Sequence, residues 1–269
     1  MCSKEFEKRY PTDVDDADWM LIEPIVRQKP GQGRKRTVNI REVVNAIFYL
    51  NHTGCQWEML PKEFPDYRHV SYYYWKWIRE GTWDELNDVM RSITRNIEGH
   101  DSDPSAAILD SQSTKTTIKG EEQGFDAGKR VKGRKRFLVV DTLGLLLVVM
   151  VMSAYRSESS GGSDILEGVH QKFVTIERVW ADSAYGGRLV EYVNKWFRFV
   201  LEIIRPSPDQ QGFEVHPKRW IVERTLSWLN WSRRLSKEYE MRTESSEAMI
   251  KIAMIRLMLK RIKSALCVI

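Results

Sequence analysis

FLVVDTLGLLLVVMVM, residues 137–152, is the one long apolar run in the chain, and its reading decides the fold. At sixteen residues, interrupted by Asp141 and Gly144, it falls short of the roughly 20 apolar residues that a membrane-spanning helix needs. It reads instead as two buried strands around a DTLG turn. Working outward, AAILD (106–110), RFLVVD (136–141) and LLLVVMVMS (145–153) have strand texture. A helix is predicted near 163–172, a strand at 177–182, a helix after the glycines of GGR, and a strand at 198–204. Two closing helices follow in WIVERTLSWLNWSRRL and SEAMIKIAMIRLMLKRI. An antiparallel start followed by strand-helix alternation predicts an α/β fold.

Upstream the texture is helical. One segment is predicted at 17–28, with Pro24 in or near its first turns, and is broken by KPGQGRKR (29–36). A second, at 39–51, opens at Asn39 and carries the apolar stripe Ile40, Val43, Val44, Ile47 and Leu50. A third, at 67–80, holds Tyr72, Tyr73, Tyr74, Trp75 and Trp77 with Arg68, Lys76 and Arg79 interleaved. Such a stripe reads first as core, and second as a base-stacking face. Thr82 with Glu85 three residues on predicts a capping box for the fourth. The polar stretch GHDSDPSAA (99–107) suggests a boundary, giving a helical region at 1–100 and a strand-rich region at 101–269.

Composition narrows the class. With 42% apolar residues and ten Trp, the 269-residue chain has the means for a packed core, which excludes a disordered chain. Net charge is +5, and residues 113–136 concentrate it, with eight basic side chains against three acidic. That balance suggests a polyanionic partner. Cys2, Cys55 and Cys267 are too few and too scattered for a disulfide framework, and the N-terminus lacks a secretory apolar core, so a cytosolic protein is expected. His52 and Cys55 form a lone H-x2-C, which reads as loop and core rather than zinc.

Three acids stand out. Asp110 ends AAILD and Asp182 ends ERVWAD, and acids at the C-terminal ends of strands can converge in the crevice where α/β sheets place their sites. Glu223 sits among Ile221, Val222, Leu226 and Leu229 in a helix so apolar that its charge needs pairing or a function. Arg219, four residues earlier, is its simplest partner. Spacing alone favours paired or turn-forming acids over a metal triad. Carboxylates without a His or Cys cluster suit Mg²⁺ or Mn²⁺, and two such ions about 4 Å apart serve phosphodiester displacement. Surrounding Lys115, Lys129, Lys132, Arg134, Lys135, Arg136, Arg219, Arg224, Arg233 and Arg234 are then candidates to hold DNA phosphates. KRVKGRKR (129–136) reads equally as a solvated edge or a phosphate-tracking run.

DSQSTKTT (110–117), GFDAGKRVKGRKRFLVVDTLGLLLVV (124–149), VWADSAYGG (179–187) and RWIVERTLSWLNWSRRLSKEYE (219–240) together resemble the catalytic half of the IS5-family insertion-sequence transposases, within the IS4/IS5 class of DDE enzymes. GRKRTVNIREVVNAIFYLNHTGCQWEMLPKEFPDYRHVSYYYWKW (33–77) resembles that family's N-terminal helical region, so the likeness covers about residues 16–262. It implies an RNase H-like mixed sheet flanked by helices, with Asp110, Asp182 and Glu223 as catalytic residues binding two divalent ions. It also implies terminal inverted repeats and target DNA as partners, a homodimer in the DNA complex, a cytosolic location associated with the nucleoid, and no membrane role. Of the family's Tyr-x2-Arg-x3-Glu-x6-Lys signature the chain keeps Arg219 and Glu223, with His216 and Asn230 at the outer positions. Glu158 and Ser159 stand where the family usually has Asp-Arg, and Ala184 replaces a turn glycine. These departures motivate a second reading, a catalytically silent DNA-binding protein, and the shared site chemistry a third, a sequence-independent nuclease.

Overall fold

The computed structural model describes residues 8–27, 37–204 and 218–266. Residues 137–152 do form a hairpin. Strand β3 (Val131–Asp141) turns at residues 142–145 and returns as β4 (Leu146–Ser153). Asp141, which interrupts the apolar run, closes the turn: its Oδ1 accepts the backbone N–H groups of Leu143 (2.9 Å) and Leu145 (2.8 Å), while Oδ2 pairs with Arg95 at 2.7 Å. Gly144 takes φ +81°, and a β-carbon there would meet the Thr225 hydroxyl at 2.7 Å.

Ahead of β3 lie β1 (Ala106–Lys115) and the short β2 (Gly124–Asp126). After β4 come β5 (Arg178–Ala181) and β6 (Val200–Ile203). The sheet runs β2-β3-β1-β5-β6, with β4 also paired to β3. β1, β3 and β4 are antiparallel neighbours, whereas β5 and β6 run parallel to β1. This mixed order, three antiparallel strands extended by two parallel ones, is the RNase H-like arrangement.

Helices cover both faces. On one side α5 (Glu158–Lys172) and α6 (Arg188–Trp196) pack over Ala107, Leu109, Phe137 and Val139. Gly161 and Gly162 of α5 are required by close approach, since a β-carbon on either would run into the rings of Phe137 (2.2 Å) or Tyr185 (2.8 Å). On the other side lie α7 (Arg219–Leu229) and α8 (Thr243–Leu266). Ile221 and Val222 of α7 meet Ile108 and Val140.

The N-terminal helices are α1 (Asp16–Val26), α2 (Ile40–Thr53), α3 (Tyr67–Arg79) and α4 (Thr82–Ile97). Asn39 caps α2, accepting from the N–H groups of Arg41 and Glu42. In α3 the aromatic stripe is core: Val70, Tyr73, Tyr74 and Trp77 are buried, and Tyr72 is left exposed. One core cluster joins α1–α4 to β4 and α8. Helix α8 is apolar nearly all round, with Met249, Ile250, Ile252, Met254, Ile255 and Met258 inaccessible, as expected of a helix enclosed by other elements.

Three local expectations are corrected. Thr82 does not cap α4: Gly81, at φ +71°, turns the chain directly out of α3, so that Thr82 is already the first helical residue and no side chain caps the end. Pro24 lies in the last turn of α1, not the first. Helix α5 starts five residues earlier than 163, because Ser157 accepts from the N–H of Ser160 and sets the N-terminus there. The segment KPGQGRKR (29–36), Cys2, Cys267 and His216 lie outside the described residues.

Candidate active site

The parallel register of β1 and β5 brings two of the three acids together. Ile108 pairs with Trp180, and two residues further along each strand stand Asp110 and Asp182. Because side chains alternate, Asp110 shares the face of Ile108 and Asp182 that of Trp180, the face covered by α7. Adjacent strands are about 4.8 Å apart, so the two carboxylates stand at one level where the paired register ends and the sheet opens. Asp182 begins the short turn Ser183–Tyr185, accepting the N–H of Ala184 at 2.9 Å.

Asp110 is largely shielded from water, and burial pushes its carboxyl up to about 6. The neighbouring Asp182 charge adds to the rise, while the Ser111 N–H (2.7 Å), Arg219 and Lys129 oppose it. Arg219, at the start of α7, links the other two acids: its Nη2 lies 3.2 Å from Glu223 Oε1 and 3.9 Å from Asp182 Oδ2. The i, i+4 partnership expected between Arg219 and Glu223 is present. Ile221 and Val222 face the sheet and leave Glu223 exposed on the crevice side of the helix.

Every candidate donor is a carboxylate oxygen, and Asp110 is a largely shielded acid beside a second carboxylate, so the chemistry fits a hard divalent cation. The side chains as they stand do not complete such a site. Among the described residues no group of three His, Cys, Asp or Glu side chains is gathered to hold an ion. Glu223 is directed at Arg219 instead.

The basic residues divide sharply. Lys115, Lys129, Lys132 and Arg233 are exposed, and Lys129 Nζ lies 3.3 Å from the Ser111 carbonyl, beside Asp110. Arg224 is half-buried, between the rings of Trp220 and Trp228, and donates to the Leu143 carbonyl. Arg134, Lys135, Arg136 and Arg234 correct the sequence expectation, because all four are buried and internally bonded. Arg134 donates to the carbonyls of Glu121, Glu240 and Met241, and Arg136 to those of Leu235 and Lys237. Both flank the buried Glu238, at 3.8 and 3.4 Å. Lys135 binds Glu158 at 2.9 Å and Asp126 at 3.3 Å. Arg234 binds Glu240 at 2.7 Å. Groups so placed are not free to track a DNA backbone.

Two neighbours of the acids escaped the sequence reading. Tyr185 is buried beneath the turn after Asp182, its hydroxyl beside Ser111 and its ionisation pushed up by burial and by Asp110, Asp182 and Glu158. A Tyr ahead of two glycines was the available signal. Glu158 was noted only as a departure; it forms the first turn of α5 and, through Lys135, joins the rear of the site. Ala184 is exposed and is not among the positive-φ residues, so its β-carbon needs no glycine conformation. Asn230 is exposed just beyond α7.

The sequence placed Asp110 at a strand end, but β1 runs on to Lys115 and Asp110 lies in its middle, level with Asp182 just past the end of the adjacent parallel strand β5. An RNase H-like sheet with acids so placed and a third on a facing helix fits one class, the DDE nucleic-acid enzymes. Residues 101–258 match the family model described as "Transposase DDE domain", and residues 14–87 match "Putative transposase of IS4/5 family". The chain belongs to the DDE transposases of the IS4/IS5 group, proteins of DNA transposition. It is also 31% identical over 75 residues, 28% of its length, to the uncharacterized protein y4sN of Sinorhizobium fredii (strain NBRC 101917 / NGR234). The match spans about 60% of that relative's length. Among the described residues no helix is long and apolar enough to cross a membrane.

Proposed function

We propose that the protein binds the terminal inverted repeats of an insertion sequence, cuts DNA at the element ends and joins them to target DNA, using Asp110, Asp182 and Glu223. The observation that carries this reading is the β1–β5 register, which supports two carboxylates at one level facing the helix of Glu223. Two Mg²⁺ or Mn²⁺ ions held by the three acids supply an activated water or 3′-hydroxyl and stabilise the leaving oxygen when bound. Asp110 and Asp182 would hold one ion between them. Glu223, exposed and now paired with Arg219, would complete the second. Arg219 is then free for the scissile phosphate. Lys129, beside Asp110, and the exposed Lys115, Lys132 and Arg233 hold the DNA backbone, each as a phosphate contact. In this scheme residues 1–100 form the repeat-binding region and 101–269 the catalytic one. A homodimer brings two ends together, and the work takes place in the cytosol, on nucleoid DNA.

The test is metal-dependent nicking and strand transfer on DNA that carries the element ends. Asp110→Asn and Glu223→Gln should each lose activity by at least about 10²-fold, the scale on which removing an essential charge-stabilising group acts. Undiminished nicking by either variant refutes the assignment. The Arg219 bridge favours one second reading, a DNA-binding protein without cleavage. Tight binding of end DNA with no nicking under Mn²⁺ would select it, and nicking without joined products would select a nuclease.

A further inference from the structure

Away from the acids, α2, α8 and the turn after α7 enclose a cavity of about 40 Å³, lined by His52, Trp228, Trp231, Ser232, Arg256 and Lys260 among others, with no Asp or Glu in its wall. Arg256 is only 8% exposed. Its guanidinium has no ion-pair partner among the described residues, and its nearest aromatic contact is the Phe48 ring at 5.9 Å. On its other side Arg256 borders a second cavity of about 120 Å³ that does include Asp13 and Asp18. Neither acid forms an ion pair with Arg256: Asp13 Oδ2 accepts the N–H groups of Arg9 (3.0 Å) and Tyr10 (3.2 Å) while its Oδ1 is buried without a hydrogen-bond partner, and Asp18 accepts the N–H of Asp15.

The cations crowd one another. Burial pulls Arg256 down to about 10 with no acid opposing the shift. His52 is lowered by burial and by Arg256, Lys260 and Arg233, and Lys260 by burial and Arg256. A buried guanidinium without a counter-ion is costly, and folds that keep one generally supply it with an anion. The planar fork of arginine matches a tetrahedral oxyanion with two parallel hydrogen bonds, Lys260 adds a mobile charge at the mouth, and a cavity of this size admits one small polar group.

We propose that this pocket binds a phosphate group, gripped by Arg256 and Lys260 with Ser232 and His52 as neighbouring donors. The phosphate comes either from a DNA backbone or from free phosphate or a phosphorylated small molecule. Only the first source rests on the DNA-processing reading above. Because Trp228 belongs to α7, the helix of Glu223, an occupied pocket would fix the far end of the helix that carries the third acid.

The experiment compares thermal unfolding of the full chain in sodium phosphate and in sodium chloride of equal ionic strength. Phosphate at ten times its Kd should raise the Tm by about 2–5 °C. Arg256→Met, which keeps the bulk and removes the charge, should unfold at a higher temperature than the parent in chloride and show no phosphate response. Lys260→Gln, on an exposed side chain that the fold does not need, should show a reduced response and decides the matter if Arg256→Met does not fold. Equal Tm in the two salts, or an undiminished response in the variants, overturns the proposal. Fluorescence anisotropy with a labelled duplex then identifies the source. Weaker binding in the variants, with a salt slope lower by about 1, assigns the phosphate to DNA. Unchanged DNA binding with a lost phosphate response assigns it to a free phosphate or phosphorylated molecule. Nicking assays of the acids leave this result untouched, so the two readings fail separately.

Discussion

Asp110 shows how one residue couples stability to chemistry. Its folded-state pKa of about 6 lies above the ordinary 3.8, so between these values the folded chain binds the proton that the unfolded chain has released. Stability contributed by this group therefore falls as pH rises through that window. Above it, the ionised carboxylate costs about 2–3 kcal/mol, at roughly 1.4 kcal/mol per pKa unit. Asp110→Asn should thus abolish nicking while raising the Tm at pH 7.5, with a much smaller gain at pH 4, as read by calorimetry. In the parent protein Mg²⁺ or Mn²⁺ should raise the Tm at pH 7.5, and the Asn variant should respond less. A neutral-pH Tm at or below the parent's would contradict the burial argument. The sequence offered an acid at an apparent strand end; that β1 runs on past it to Lys115, its shielding and its partner Asp182 come from tertiary packing.

Among elements, β3 separates what patterning reveals from what it conceals. Its apolar half, residues 137–140, was legible as a buried strand because every side chain there is apolar. Its basic half looked like a surface run, yet Arg134, Lys135 and Arg136 are as buried as the apolar half. Charge is read locally in a sequence, whereas the compensating groups, the carbonyls of residues 235–241 and Glu238, lie about a hundred residues away. Glu238, 1% exposed, also accepts from the Ser246 hydroxyl at 2.7 Å. Replacing it with Ala leaves two guanidinium groups without their counter-charge, and urea unfolding should show a loss of about 3–5 kcal/mol, the usual cost of breaking a buried pair. Lys129→Ala behaves in the opposite way. Its side chain is exposed, so the Tm should stay within about 2 °C, since surface substitutions usually change stability by under 0.5 kcal/mol. DNA affinity should fall several-fold and the salt slope decrease by about 1.

At the scale of the whole molecule, helix α8 ties the two matched regions together. The N-terminal helices and the RNase H-like sheet bury their apolar faces against the same helix, in one continuous cluster. Scanning calorimetry of the full chain should therefore record a single cooperative transition, and a fragment of residues 101–266 should expose the α8 face and aggregate. Two well-separated transitions would mean that α1–α4 fold independently of that core.

Local patterning determined much by itself. The hairpin at 137–152, the Asn39 cap and apolar stripe of α2 and the aromatic core of α3 were legible, because periodicity and turn chemistry act over a few neighbouring residues. Tertiary structure alone decided which charges face solvent, that Asp110 and Asp182 stand at one level, that Arg219 bridges Asp182 and Glu223, and that Arg256 is enclosed without an acid. Those outcomes depend on strand register and on partners distant in the chain, and a charge's energy is set by what surrounds it after folding.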